Sequence, residues 1–262
     1  MSGPAHERPG RRWLDLTWPQ IAALEKDTVA VLPLGAVEQH GPHLPVSTDF
    51  VIATETAAAA VDRATGVPAV LLPGLCYTKS DEHHAFPGSI WLSWDTLMAT
   101  LVDIGRSLAA SGIERLLFVN GHGGNSALGQ VACRELRRRF GLRTFFTHPG
   151  VPVDQGGIGS ADSELGMGVH GGHRETSLML HLRPELVRMD LAVARVPEAL
   201  TEFRHVGFGK RVSFGWTSDD FGPDGHIGDP TGATAEHGKA DVESAVPALA
   251  EVIEEVHRFR TR

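Results

Sequence analysis

Cysteine is scarce in this sequence, and positive charge is outnumbered by negative overall. Two cysteines in 262 residues, Cys76 and Cys133, cannot staple a chain of this length, and no C-x-x-C pair offers thiolate zinc or redox chemistry. The compartment reads as reducing, and any metal has to be held by imidazole and carboxylate. Lys and Arg number 24 against 32 Asp and Glu, a net charge of −8 with neutral histidine, so the basic footprint of a nucleic-acid-binding protein is missing. No apolar run approaches the roughly 20 residues that cross a bilayer. Met1 to Arg12 is polar and has no apolar segment behind its basic residues. The expectation is a soluble, cytoplasmic protein with neither nucleic acid nor membrane as partner. Familiar signatures of hydrolases and nucleotide binders are absent too: there is no G-x-S-x-G, no H-E-x-x-H, no G-x-G-x-x-G and no G-x-x-x-x-G-K-[ST]. The surplus is histidine, with 14 residues unevenly spaced and many of them beside Gly, Glu or Asp.

The hydrophobic pattern alternates between buried strands and amphipathic helices. A polar, flexible head covers residues 1–16. Thr17-Trp18-Pro19 then caps a helix running to about Lys26, with proline in the first turn. Thr28 to Leu34 is almost wholly apolar and partly β-branched, the pattern of a strand covered on both faces. A helix over Thr48 to Arg63 leads to a strand at Ala69 to Leu72. A helix over Ser93 to Ala110, capped by Ser93, leads to a strand at Arg115 to Val119. A basic-faced helix over Ser126 to Arg139 leads to a strand at Leu142 to Thr147, and a last helix spans Ala233 to Arg258. Such alternation predicts right-handed crossovers and a mostly parallel sheet covered on both faces, in one domain spanning residues 17–262. The Gly- and Asp-rich stretches Gly150 to Gly172 and Gly207 to Gly232 are long for plain connections, which marks them as functional or mobile.

Three clusters carry the chemistry. Glu38-Gln39-His40-Gly41-Pro42-His43 follows the first strand directly, and in extended chain Glu38 and His40 point to the same side. Asp49 stands at the start of the next helix, where it also suits an N-terminal cap. The second cluster, Asn120-Gly121-His122-Gly123-Gly124-Asn125, joins another apolar strand to a helix, and its glycines let a substrate approach the backbone. Both clusters leave the carboxyl ends of strands, where open α/β sheets place their ligands. The third cluster runs from His170 to Ser177 and includes Glu175, an acidic residue suited to a first helical turn. Together Glu38, His40, Asp49, His122 and Glu175 offer three carboxylates and two imidazoles. That set suits a pair of divalent ions such as Zn, Mn or Fe, with Asp49 as the best bridge and room for one hydroxide as nucleophile.

Taken in order, Leu32 to Pro45, Thr48-Asp49, Asn120 to Asn125, His170 to Ser177 and Gly228 to Thr234 resemble the creatininase (creatinine amidohydrolase) family over about residues 25 to 245. The resemblance implies a three-layer α/β/α fold, a dinuclear metal site, hydrolysis of a non-peptide or peptide-like C–N amide bond, and a homohexamer. By position, Glu38, His40, Asp49 and His122 match the family's ligands. His170 matches a histidine near the reacting amide, which suggests proton transfer to the leaving nitrogen. Creatininase proper carries a ligating Glu where this sequence has Gly124. Glu175, in its Glu-Thr-Ser segment, is read as the replacement and so as part of the catalytic centre. The departure weakens creatinine as substrate and favours the branches that trim the mycofactocin precursor peptide or deformylate a formylaminopyrimidine nucleotide.

Around the same sheet edge, His43, Tyr77, Ser80, Glu82, His83, Gly123, Gly124 and Asn125 are candidates for substrate contact. His148, His181, His205, His237 and His257 are read as ordinary histidines. The expected activity is amide hydrolysis by a metal-bridging hydroxide on a small-molecule or short-peptide substrate. The competing reading is a metal-binding member of the same fold without turnover.

Overall fold

The apolar runs become four parallel strands, β1 (Val29–Leu34), β2 (Ala69–Leu71), β3 (Arg115–Asn120) and β4 (Arg143–Thr147). The structure is a computed structural model that describes residues 11–151 and 159–260. The strand order is β2-β1-β3-β4. β1 pairs with β2 from Val29↔Ala69 and with β3 from Val29↔Arg115 to Leu34↔Asn120.

Alternation along the strands decides what each face covers. Ala30, Leu32, Leu34, Leu116 and Phe118 point to one side, where Leu97, Leu101 and Leu108 of one helix and Ala132 and Leu136 of another close over them. Val29, Val31, Leu117 and Val119 point to the other side, against Ala57, Ala60 and Val61 and against Leu249, Ala250 and Ile253. The helices are α1 (Trp18–Ala22), α2 (Thr48–Arg63), α3 (Trp94–Ala110), α4 (Ser126–Phe140), α5 (His173–Leu182) and α6 (Ala235–Arg258). Thus α3 and α4 form one outer layer and α2 and α6 the other, the three-layer α/β/α arrangement the sequence predicts.

Local signals explain most boundaries. Ser93 caps α3 by accepting from the Thr96 amide, Thr234 caps α6 by accepting from the His237 amide, and Gly141 ends α4 in the left-handed region at φ 71°. α1 stops at Ala22 rather than Lys26: none of its residues is buried, so nothing beyond its capping box sustains another turn. α6 begins at Ala235 rather than Ala233, and α5 begins at His173, a turn and a half before its apolar run.

Of the flexible head expected over residues 1–16, residues 1–10 lie outside the described residues. Residues 11–16 are tied down instead. Arg11 donates to the carbonyls of Val61, Ala64 and Val67 and accepts from the Leu71 amide at 2.9 Å, while Arg12 forms a two-pronged pair with Asp62. Part of the long loop expected over Gly150 to Gly172, residues 152–158, also lies outside the described residues. Among the described residues no helix is long and apolar enough to cross a membrane.

Candidate metal centre

The chain leaves β1 toward β2 on one side and later returns to place β3 on the other, so the strand order reverses between β1 and β3. Leu34 and Asn120, the last residues of those strands, are registered neighbours. The first two histidine clusters therefore emerge side by side at the switch point, the usual ligand crevice of an open α/β sheet.

Past β1 the backbone stays extended, and Glu38 and His40 reach the same spot while Gln39 turns away. His40 Nδ1 lies 3.2 Å from the Glu38 carbonyl and donates to it, which leaves Nε2 facing three carboxylates: Asp49 Oδ1 at 3.0 Å, Glu38 Oε1 at 3.7 Å and Glu175 Oε2 at 3.8 Å. Asp49 comes from the first turn of α2 and Glu175 from the first turn of α5, where its Oε2 accepts from the Gly171 amide at 2.7 Å. From beyond β3, His122 Nδ1 lies 3.1 Å from Asp49 Oδ2 and 3.2 Å from Glu38 Oε2. Ser80 Oγ donates to Glu38 Oε2 at 2.6 Å and fixes that carboxylate.

Three groups of donors are close enough to share an ion: Glu38/Asp49/His122, His40/Asp49/Glu175 and Glu38/His40/His170. Asp49 belongs to the first two. Asp49 Oδ2 and His122 Nε2 are buried without a hydrogen-bond partner among the described residues. Carboxylates concentrated this way, with histidines as their ion-pair partners and donors left open, form a set that accommodates divalent cations.

The electrostatics follow from burial and crowding. Burial lifts the Glu38 carboxyl to about 7 even though His122 and His40 pull it down. Burial works against a charged His40, but Asp49, Glu175 and Glu38 outweigh it and raise the imidazole to about 10. His122 is raised well above the ordinary range for the same reason, with Glu38 and Asp49 overcoming desolvation. Asp49 is lowered, because His40 and His122 together outweigh its burial. His170 goes the other way: burial and the neighbouring His40 and His83 push it well below the ordinary value. Its Nε2 donates to the Gln39 carbonyl at 2.6 Å, its Nδ1 lies 3.6 Å from Glu38 Oε1, and its ring sits between those of His40 and His83, each 4.1 Å away.

The cluster opens into a cavity of about 430 Å³, the size of a small-ligand site. Glu82, His83, Gly123 and Gly124 line it together with Glu38, Asp49, His122, His170 and Glu175. His43 does not: it is buried behind α5, with Nε2 on Thr176 Oγ1 at 3.0 Å and its ring against His226. Tyr77 is 52% exposed and does not line it, Ser80 serves Glu38, and the Asn125 amide donates to the Gly35 carbonyl and to Asn120 Oδ1. The segment Gly207 to Trp216, which the sequence marks only as part of a functional or mobile stretch, forms a further wall and contributes Phe208, Phe214 and Trp216. A signal for it exists: three of the chain's few aromatic residues interleave there with three glycines.

The family described as creatininase (creatinine amidohydrolase) matches residues 14–253. This chain belongs to the creatininase family. As such it is a metal-dependent amidohydrolase. A mycofactocin precursor peptide peptidase of Mycobacterium ulcerans (strain Agy99) is 38% identical over 236 residues, covering 86% of this chain and 81% of that protein. A creatinine amidohydrolase of Pseudomonas putida is 36% identical, covering 70% of this chain and 76% of that one. A solved manganese creatininase superposes with a TM-score of 0.72 at 29% identity, covering 94% of this chain and 98% of its own. A zinc–zinc creatininase superposes with a TM-score of 0.71, also at 29% identity, over 95% and 98% of the two chains. Creatininase structures thus carry zinc or manganese, and this family member has the donor groups for such ions at the switch point of its sheet.

Proposed function

We propose that this chain hydrolyses a peptide-like C–N amide bond at a centre of two divalent ions. One observation carries the reading: two three-donor groups, Glu38/Asp49/His122 and His40/Asp49/Glu175, share Asp49 and open into the same cavity. Glu175 stands in the second group, so the set is complete without a side chain at position 124. Ions bound there supply Lewis acidity and make water a nucleophile near neutral pH.

The chain's own side chains do the rest. The Glu38 carbonyl holds the Nδ1 proton of His40, so Nε2 is presented as the donor. Ser80 orients Glu38. His170 is neutral, with its proton on Nε2 held by the Gln39 carbonyl, so Nδ1 is free to take a proton from the attacking water. As the C–N bond breaks, the same Nδ1 returns that proton to the leaving nitrogen. Phe208, Phe214 and Trp216 shield the reacting centre from bulk water.

The substrate assignment rests on the similarity to the mycofactocin precursor peptide peptidase, on glycine at position 124, and on the cavity wall. Its aromatic side suits an apolar group beside the scissile amide. Its two lysines are already engaged, Lys79 by Asp81 and Glu82 and Lys210 by the carbonyls of Leu200 and Phe203, which disfavours a nucleotide phosphate. The same reading has residues 17–262 acting as one catalytic domain, in a cytoplasmic homohexamer, with zinc, manganese or iron in the site.

The test is metal analysis of the purified chain, followed by assays on short peptides, formamides and cyclic amides with each metal supplied. We expect two ions per chain and peptide cleavage that a chelator abolishes and metal restores. Cleavage indifferent to chelation, or turnover of creatinine alone, refutes it. Two bound ions with no turnover of any amide favours the non-catalytic reading.

A further inference from the structure

Glu82 fills the space that Gly124 leaves open. Its Oε2 is held by Lys79 Nζ at 2.8 Å, and its Oε1 faces His122 Nε2 at 3.5 Å. That nitrogen is buried and has no hydrogen-bond partner among the described residues, so Glu82 is the carboxylate turned toward it. The opposite edge of the ring, Nδ1, faces Asp49 and Glu38. The two edges of His122 are therefore unlike: Nδ1 belongs to the donor group Glu38/Asp49/His122, whereas Glu82 belongs to none of the three groups.

A carboxylate at the outer nitrogen of a ligating imidazole fixes the tautomer, holds the ring plane and makes the inner nitrogen more basic. The backbone on both sides is built for this contact. Glu82 sits in the short 3-10 turn Asp81–His83, whose carbonyl at Glu82 accepts from Ser218 Oγ at 3.3 Å. Gly124 sits in the turn Gly123–Asn125 immediately after His122. A Cβ added at Gly124 would overlap Glu82 Oε1 and stand 2.5 Å from His122 Nε2. Glycine at 124 is thus the condition for the contact, because any side chain there expels the carboxylate.

We propose that Glu82, seated beside Gly124 and held by Lys79, is a positioning residue that orients His122 as an Nδ1 metal ligand. The inference rests on the metal reading above. Its test is the affinity of the full chain for Zn and Mn, measured by competition with a chelator of known affinity. The variants are Glu82→Gln, Gly124→Ala and the two combined, with folding followed by circular dichroism.

Glu82→Gln keeps the shape and removes the charge, and we expect about 10- to 100-fold weaker binding of one ion, with the other changed less than threefold. Gly124→Ala, whose Cβ would crowd both Glu82 Oε1 and His122 Nε2, is expected to weaken the same ion at least as much, and adding Glu82→Gln to it to cost less than it does in the parent. A Glu82→Gln protein that binds both ions within twofold of the parent overturns the inference. If Glu82→Gln does not fold, Lys79→Met takes its place: it frees Oε2 from its anchor and should weaken the same ion, and parental binding by it overturns the inference. A parent chain that takes up no metal overturns the metal reading and this inference together.

Discussion

Replacing Asp49 by Asn removes one charge from a buried position while keeping the shape of the side chain. Asp49 Oδ1 is 3.0 Å from His40 Nε2 and Oδ2 is 3.1 Å from His122 Nδ1. At about 3 Å and an effective dielectric of about 20, each unit-charge contact is worth about 5 kcal/mol. One pH unit corresponds to roughly 1.4 kcal/mol, so the Asp49 contact alone accounts for a shift of about four units. That suffices to bring His40 from about 10 back to the ordinary histidine range, with Glu38 and Glu175 still nearby but farther off. In the metal-free parent the raised His40 contributes stability that is full below the ordinary value near 6.5 and is lost as pH climbs through about 10. The Asp49→Asn protein should lack that window. Because Asp49 also belongs to both proposed donor groups, the variant should bind at least one ion fewer. Ring-proton NMR titration of the metal-free protein reads the first effect, and elemental analysis of the loaded protein reads the second. A variant that keeps both ions and an unchanged His40 titration refutes the shared role of Asp49.

The His170→Ala protein should lose about 10²- to 10⁴-fold in kcat, the usual span for a proton carrier, with its metal content intact; an unchanged kcat removes His170 from the mechanism. Loading the metal-free protein should release protons, because His40 and His122 are held charged by their carboxylates and have to give up a proton to bind an ion. Apparent affinity should therefore rise with pH toward about 10, which calorimetry in two buffers of different ionisation heat measures, and a heat independent of buffer contradicts it. Gly238 packs α6 against α5, where an added Cβ would overlap the Ser177 carbonyl and stand 2.9 Å from the Leu178 amide nitrogen. Gly238→Ala should destabilise by about 1–3 kcal/mol, read as a lower Tm, and an unaltered Tm would mean that the two helices separate freely.

Much of this architecture is legible because its signals are local. The strands are covered on both faces and read as unbroken apolar runs, and Ser93, Gly112 and Gly141 mark helix ends through side-chain capping or a positive φ. Where the deciding contact is tertiary, the reading slips. α1 ends early because it buries nothing, and the α5 start, whose first turn holds Glu175 as expected, is pinned by the buried Glu164 carboxylate, which accepts from the His173 amide at 2.9 Å and from the Asp229 amide at 3.0 Å, tying two distant loops to its N-terminus. No local spacing announces that partnership.

The site divides along the same line. Glu38, His40, Asp49 and His122 are legible because each sits within fifteen residues of the carboxyl end of β1 or β3, where the sheet topology alone brings them together. Glu175 needs α5 to be folded back onto α2, yet its neighbours in sequence already hint at chemistry. The stretch from Gly207 to Trp216 stands out by its glycines and aromatics, but its place at the cavity wall is set by contacts such as the edge-on Trp216 and His83 rings, which lie far apart in sequence. His43 shows the converse error. It shares a motif with His40, but Gly41 takes φ +74° and turns the chain, so the motif's second histidine ends behind α5 and bonds Thr176 instead of lining the cavity. Beyond Gly41, His43 is placed by what it packs against, just as Glu82, three residues after Lys79, is placed by Lys79 and by the space beside Gly124 that brings it to His122.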